Sequence, residues 1–335
     1  MDNILITKEK SIAISYIRVI SAMMIVLCHI FQGLNNELAW WFNVGVQIFL
    51  FMSGFLMAKS KITNNSKFIK KRFVRILKPY YVALILSIVL YMCIGKEITL
   101  SNISTYLFAI QGITYTNTIE GLGHLWFVSL ILLCYIITLL LDRYRDIMSS
   151  DKGFMFYLKL IVSLILLQII INFSGLKIYY GAWIGAYIIG YVLASRYKMD
   201  IPNSVGNTII GLTLILIPIR LYFRYVSGIK SPVMNQFFNR YYVPWTHVLL
   251  GICIFVVLYR LFSAVYKNRE TNSKIINIIS NRSYEIYLTH QIFILGPASL
   301  LFATSHLTVN LVLIAVSIAF ATWLVYFIDS KIKRK

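Results

Sequence analysis

Runs of roughly 17 to 21 mainly apolar residues recur along this chain, each cut off by charged or Gly/Asn/Ser-rich turns and each long enough to cross a bilayer as a helix. They fall near 13–33, 43–59, 79–95, 122–141, 158–174, 179–195, 205–223, 243–263, 284–304 and 308–328. In lipid every backbone N–H and C=O must find its partner within the protein, so such a run closes its own bonds as a helix. The expected fold is all-α, a polytopic membrane bundle of about ten transmembrane helices. Composition agrees: 59% of the 335 residues are hydrophobic and 13% charged, with a mean hydropathy of +0.75.

The net charge of +20 points to the membrane surface rather than nucleic acid once its placement is read. With the N-terminus inside, 26 of the 32 Lys and Arg lie on cytoplasmic segments, leaving Lys96, Lys177, Arg220, Arg224, Lys230 and Arg240 outside. Both termini are therefore expected in the cytoplasm. The polar start, Met1 to Lys10, precedes an apolar run without a small-residue cleavage site, so that run reads as a retained anchor. No repeat or separate soluble domain is evident, and 1–335 reads as one membrane-embedded domain. Cys28, Cys93, Cys134 and Cys253 all sit in apolar runs without ligand spacing, so neither a disulfide framework nor a metal site is expected.

Ionisable residues inside such runs are costly and mark candidate function. Arg18 and His29 share the first run, and eleven residues on a helix turn about 1100° and rise ~16 Å. Both then lie on one stripe, half a bilayer apart. Lys71, Arg72 and Arg75 form a positive face after the second run, fit either to hold the phosphates of a nucleotide or to anchor anionic lipid. His124, in Gly121-Leu-Gly-His-Leu-Trp-Phe127, is expected at the same depth as His29. The two could share a cavity as base and orienting partner, or each could be an interfacial histidine bonded to backbone or water. Ser283, Tyr287 and His290 follow i, i+4, i+7 spacing and should line one face of the ninth run, with Arg282 and Glu285 nearby. That stripe is expected to face a cavity or the bundle interior.

Together these residues resemble the acyltransferase 3 family of bacterial integral membrane acyltransferases, over essentially the whole chain. Arg18, ten residues and His29 match the family's first-span motif; Arg72 and Arg75 match its Arg-x-x-Arg element. Gly45 to Leu56 matches Gly-Val-x-x-Phe-x-x-x-Ser-Gly-Phe-Leu and brings in Ser53, His124 to Phe127 matches His-Leu-Trp-Phe, and Ser283 to His290 matches Ser-Tyr-x-x-Tyr-Leu-x-His. The chain departs from the family where acidic residues usually follow Leu-Trp-Phe-x-Ser: Ser129 here precedes Leu130 to Tyr135. Glu120, four residues before His124, is the substitute carboxylate to examine.

The resemblance implies an O-acyltransferase of the bacterial cell membrane that moves an acyl group, acetyl first among candidates, from cytoplasmic acyl-CoA to a hydroxyl of a surface polysaccharide or lipid-linked glycan. Acetyl-CoA would be the donor co-substrate, without a metal, held by Arg18, Lys71, Arg72 and Arg75. His29 would be the general base and His124 would orient the acceptor or stabilise the oxyanion, while Ser53, Ser283, Tyr287 and His290 line the substrate cavity. Separate polysaccharide-synthesis proteins are possible partners, nucleic acid is not expected, and any esterase domain of the kind some relatives carry would be a separate protein or unnecessary. The competing class is a transporter or flippase of a lipid-linked glycan or small anion, to which Pro218 and Gly296-Pro297 would lend broken helices.

Overall fold

A computed structural model describes residues 7–59, 61–114, 118–146, 153–267 and 272–332. In chain order its α-helices are α1 (Lys8–Gly33), α2 (Leu38–Phe42), α3 (Val44–Met57), α4 (Asn65–Cys93), α5 (Leu100–Leu107), α6 (Gln111–Thr114), α7 (Trp126–Arg143), α8 (Phe154–Phe173), α9 (Tyr180–Arg196), α10 (Asn203–Tyr222), α11 (Pro232–Phe237), α12 (Val243–Val265), α13 (Lys274–Asn281), α14 (Ser283–Thr289), α15 (Ile292–Leu295) and α16 (Leu307–Ile332). All regular structure among the described residues is helical. Among them, 8 helical stretches are long and apolar enough to cross a membrane. The protein is a polytopic membrane helix bundle.

The sixth expected run is α9, a helix of 17 residues rich in glycine and tyrosine. One expected run takes another form. The ninth, 284–304, is not one helix: α14 stops at Thr289, α15 occupies four residues, and 296–306 is irregular. Gly296-Pro297 ends the helical path, and the exposed carbonyls find side-chain donors instead. Asn310, buried on α16, donates to the carbonyls of Leu301 and Thr304, both at 2.9 Å, and its Oδ1 accepts from the Thr304 N–H at 2.9 Å. Irregular backbone at membrane depth is tolerated where protein supplies such partners. Pro218, by contrast, lies inside a continuous α10.

The chain divides into two compact units, residues 1–17, 44–63 and 136–272 in the first, and 18–43, 64–135 and 273–335 in the second. In the first, α3 packs against α9 and α12. A Cβ on Gly190 would stand 2.1 Å from the Phe51 carbonyl oxygen, and one on Gly54 would stand 1.9 Å from that of Tyr187. The two backbones approach this closely only because both positions lack a side chain. Phe51, Phe55, Phe255 and Tyr259 fill the adjoining core.

In the second unit α4 and α14 pack against α16. Ile294, Leu301, Ile314 and Ile318 form its apolar centre, with Val26, Ile30 and Leu34 of the α1 end packed on it. Asn64 caps α4 by accepting from the Lys67 N–H at 2.8 Å. Pro79 interrupts the α4 hydrogen-bond ladder, and on the turn before it the Ile76 carbonyl accepts from the Tyr284 hydroxyl at 3.1 Å.

Candidate active site

All but one of the candidate site residues named from the sequence belong to the second unit. Ser53 is the exception, half-buried on α3 of the first. Within the second unit the others gather at two places, one near each end of the α1 stripe. Because α1 is continuous from Lys8 to Gly33, the ~16 Å rise between Arg18 and His29 holds.

The first place is cationic. Arg18 Nη1 donates to the Ser280 hydroxyl at 3.2 Å, and Arg75 of α4 lies within electrostatic reach of Arg18. Arg72 and Arg75 both act on the buried Tyr135 of α7. Arg72 is half-buried beside Phe68, its guanidinium 5.6 Å from the ring centre, and its Nε has no hydrogen-bond partner. Lys71 and Arg75 are exposed. A helical Arg-x-x-Arg spacing thus puts guanidinium groups beside the Arg18 end of α1, an arrangement suited to an anion with several oxygens.

The second place holds three imidazoles. The ring centres of His124 and His290 are 4.8 Å apart, those of His29 and His290 5.1 Å, and those of His29 and His124 6.3 Å. Each comes from a different element: His29 from α1, His124 from the tight turn that opens α7, and His290 from the break between α14 and α15. His124 and His290 are buried and His29 is half-buried. Tyr287 stacks edge-on to His124, and its hydroxyl donates to the His124 carbonyl. Ser283, Tyr287 and His290 are all buried, as their shared stripe requires.

Amides, not carboxylates, partner these rings. His29 Nδ1 lies 3.0 Å from Gln32 Oε1, one helical turn on. His124 Nδ1 lies 2.6 Å from Gln291 Oε1. His290 Nδ1 lies 2.8 Å from the Tyr287 carbonyl, which can only accept, so that nitrogen carries the proton. The Nε2 atoms of His124 and His290 are buried without a hydrogen-bond partner. Glu120 is not among these partners: its side chain is exposed in a cavity with Tyr91, Lys96, Glu97, Asn102 and Pro297, and its backbone carbonyl accepts from the Tyr91 hydroxyl at 2.8 Å. Although three histidines converge, no group of three or more His, Cys, Asp or Glu is arranged to hold a metal among the described residues.

The family model described as an acyltransferase domain, acyltransferase 3, matches residues 11–329. The chain belongs to the acyltransferase 3 family. No curated protein and no solved structure matches it. Family membership makes this a membrane-embedded acyltransferase-family protein. Gln32, Ser280 and Gln291 were not reached from the sequence of this acyltransferase 3 member. Gln32 is legible afterwards as the residue one turn from His29, and Gln291 as the lone amide following His290 in an apolar stretch.

Proposed function

We propose that the protein transfers an acyl group, acetyl first among candidates, from cytoplasmic acyl-CoA to a hydroxyl of a surface polysaccharide or lipid-linked glycan at a bacterial cell membrane. The observation that carries this reading is the pairing, within one unit, of guanidinium groups around Arg18, part-way along α1, with an imidazole cluster ~16 Å further along it. Arg18, Arg72 and Arg75 would hold the phosphates of the donor on the cytoplasmic side, with Lys71 adding charge. The pantetheine arm is long enough to bring the thioester to His29. There His29 takes the proton of the acceptor hydroxyl as its oxygen attacks the thioester carbonyl carbon. The tetrahedral intermediate then expels the CoA thiolate, which recovers the proton from the imidazolium: one C–O bond forms, one C–S bond breaks, and no redox change occurs. Holding both reactants beside one base also avoids a bimolecular encounter. His124, whose Nδ1 faces an acceptor, is better suited to receive a hydrogen bond at Nε2 from a second hydroxyl of the acceptor glycan than to stabilise an oxyanion while neutral.

The experiment is transfer of labelled acetyl from acetyl-CoA to glycan by the purified protein in nanodiscs. His29→Ala should lower transfer by about 10²–10⁴-fold, with the protein still inserted and monodisperse. Full activity in that variant would remove His29 from the mechanism. The break at His290 to Pro297 favours the competing reading, movement of a lipid-linked glycan or small anion. A transporter leaves its cargo unlabelled, so the same assay separates the two.

A further inference from the structure

Gln291 contacts both histidines that the proposed chemistry needs, and its orientation is set by the backbone rather than by assignment. The Gln291 Oε1 atom lies 2.8 Å from the main-chain nitrogen of His124, a group that can only donate. The facing atom must therefore be the amide oxygen, which rules out a flipped amide. The same Oε1 lies 2.6 Å from His124 Nδ1, so Nδ1 must carry a proton, which in the neutral ring leaves the lone pair on Nε2. The other end of the amide, Nε2, lies 3.4 Å from His29 Nδ1, a nitrogen that also faces Gln32 Oε1 at 3.0 Å. Gln291 is itself buried at the break between α14 and α15.

We propose that Gln291 is a positioning residue: it locks His124 in the Nδ1–H tautomer, holds the turn that carries it, and orients that ring beside His29 for the transfer. This rests on the acyltransferase reading for its consequence, though the tautomer is a property of the resting protein. Gln291→Met keeps length and volume but offers no amide oxygen. Gln291→Glu keeps an acceptor at the same reach and should restore what Met removes.

The test combines ring-nitrogen NMR of ¹⁵N-histidine-labelled protein in nanodiscs, with His124 assigned by its loss in His124→Asn, and acetyl-transfer kinetics on the same samples. In the wild type His124 is expected as the neutral Nδ1–H form. In Gln291→Met that signal should be lost to the other tautomer or a mixture, with kcat down at least about tenfold and KM for acetyl-CoA unchanged. In Gln291→Glu the Nδ1–H signal should return. An Nε2–H tautomer in the wild type, or a tautomer indifferent to Gln291→Met, overturns the proposal. A fall in kcat without any change of tautomer also overturns it, since that assigns the amide to packing. Absence of acetyl transfer by the wild type would sink the acyltransferase reading alone, because the NMR arm still decides the role of Gln291.

Discussion

Replacing Asp142 with Ala should be among the most damaging single changes in the first unit, for a reason that can be worked from the geometry. Asp142 and Arg145, with side chains 7% and 10% exposed, meet at 3.0 Å. The Tyr191 hydroxyl donates to Asp142 Oδ1 at 2.9 Å and accepts from Arg145 Nε and Nη2 at 3.1 and 2.9 Å. Asp142 Oδ2 accepts from the Ile62 N–H at 2.8 Å, tying the segment after α3 to the end of α7. Truncation takes the Asp142 carboxylate away from a buried guanidinium, a loss of about 3–5 kcal/mol. It also strands the Ile62 N–H at about 1 kcal/mol, part of which is the same desolvation, so the expected total is about 4 kcal/mol. Asp142→Asn keeps an acceptor and loses only the charge, for about 2 kcal/mol.

The sharper expectation concerns the pair. Asp142→Ala combined with Arg145→Met removes the buried guanidinium together with the carboxylate it meets and should be about 2 kcal/mol more stable than Asp142→Ala alone. The assay is reversible unfolding in mixed micelles by SDS titration, with wild type and the variants run as a double-mutant cycle. A single-variant loss under about 1 kcal/mol, or a double variant no more stable than Asp142→Ala, would refute the argument that a desolvated charge dominates this site.

Two further outcomes follow from the second unit. Arg75→Gln should raise KM for acetyl-CoA about tenfold or more while leaving kcat within about twofold, because a charge-assisted contact to a bound phosphate is lost without touching the reacting atoms; an unchanged KM would take Arg75 out of donor binding. Gly121 sits at φ +76°, and a Cβ there would lie 2.5 Å from the Tyr91 hydroxyl and 2.6 Å from the Gly296 Cα, so Gly121→Ala should cost about 1–3 kcal/mol in unfolding measurements. Wild-type stability in that variant would show that the turn leading to His124 has room it is not expected to have.

Hydrophobicity and charge placement were enough to read an all-helical membrane bundle, because lipid leaves the backbone few other solutions and the apolar runs are long. The Arg18–His29 stripe was legible for the same kind of reason: both residues lie on one unbroken helix, whose geometry is local. Other features depended on which elements meet. A window of average hydropathy could not distinguish a spanning helix at 284–304 from a broken one, since the break is made tolerable by Asn310, well outside that window. Nor could it show that His290 joins His29 and His124, or that their partners are Gln32 and Gln291 rather than Glu120. Helix periodicity is a property of neighbours along the chain, whereas hydrogen-bond partners 167 residues apart, as His124 and Gln291 are, are chosen only when the bundle packs.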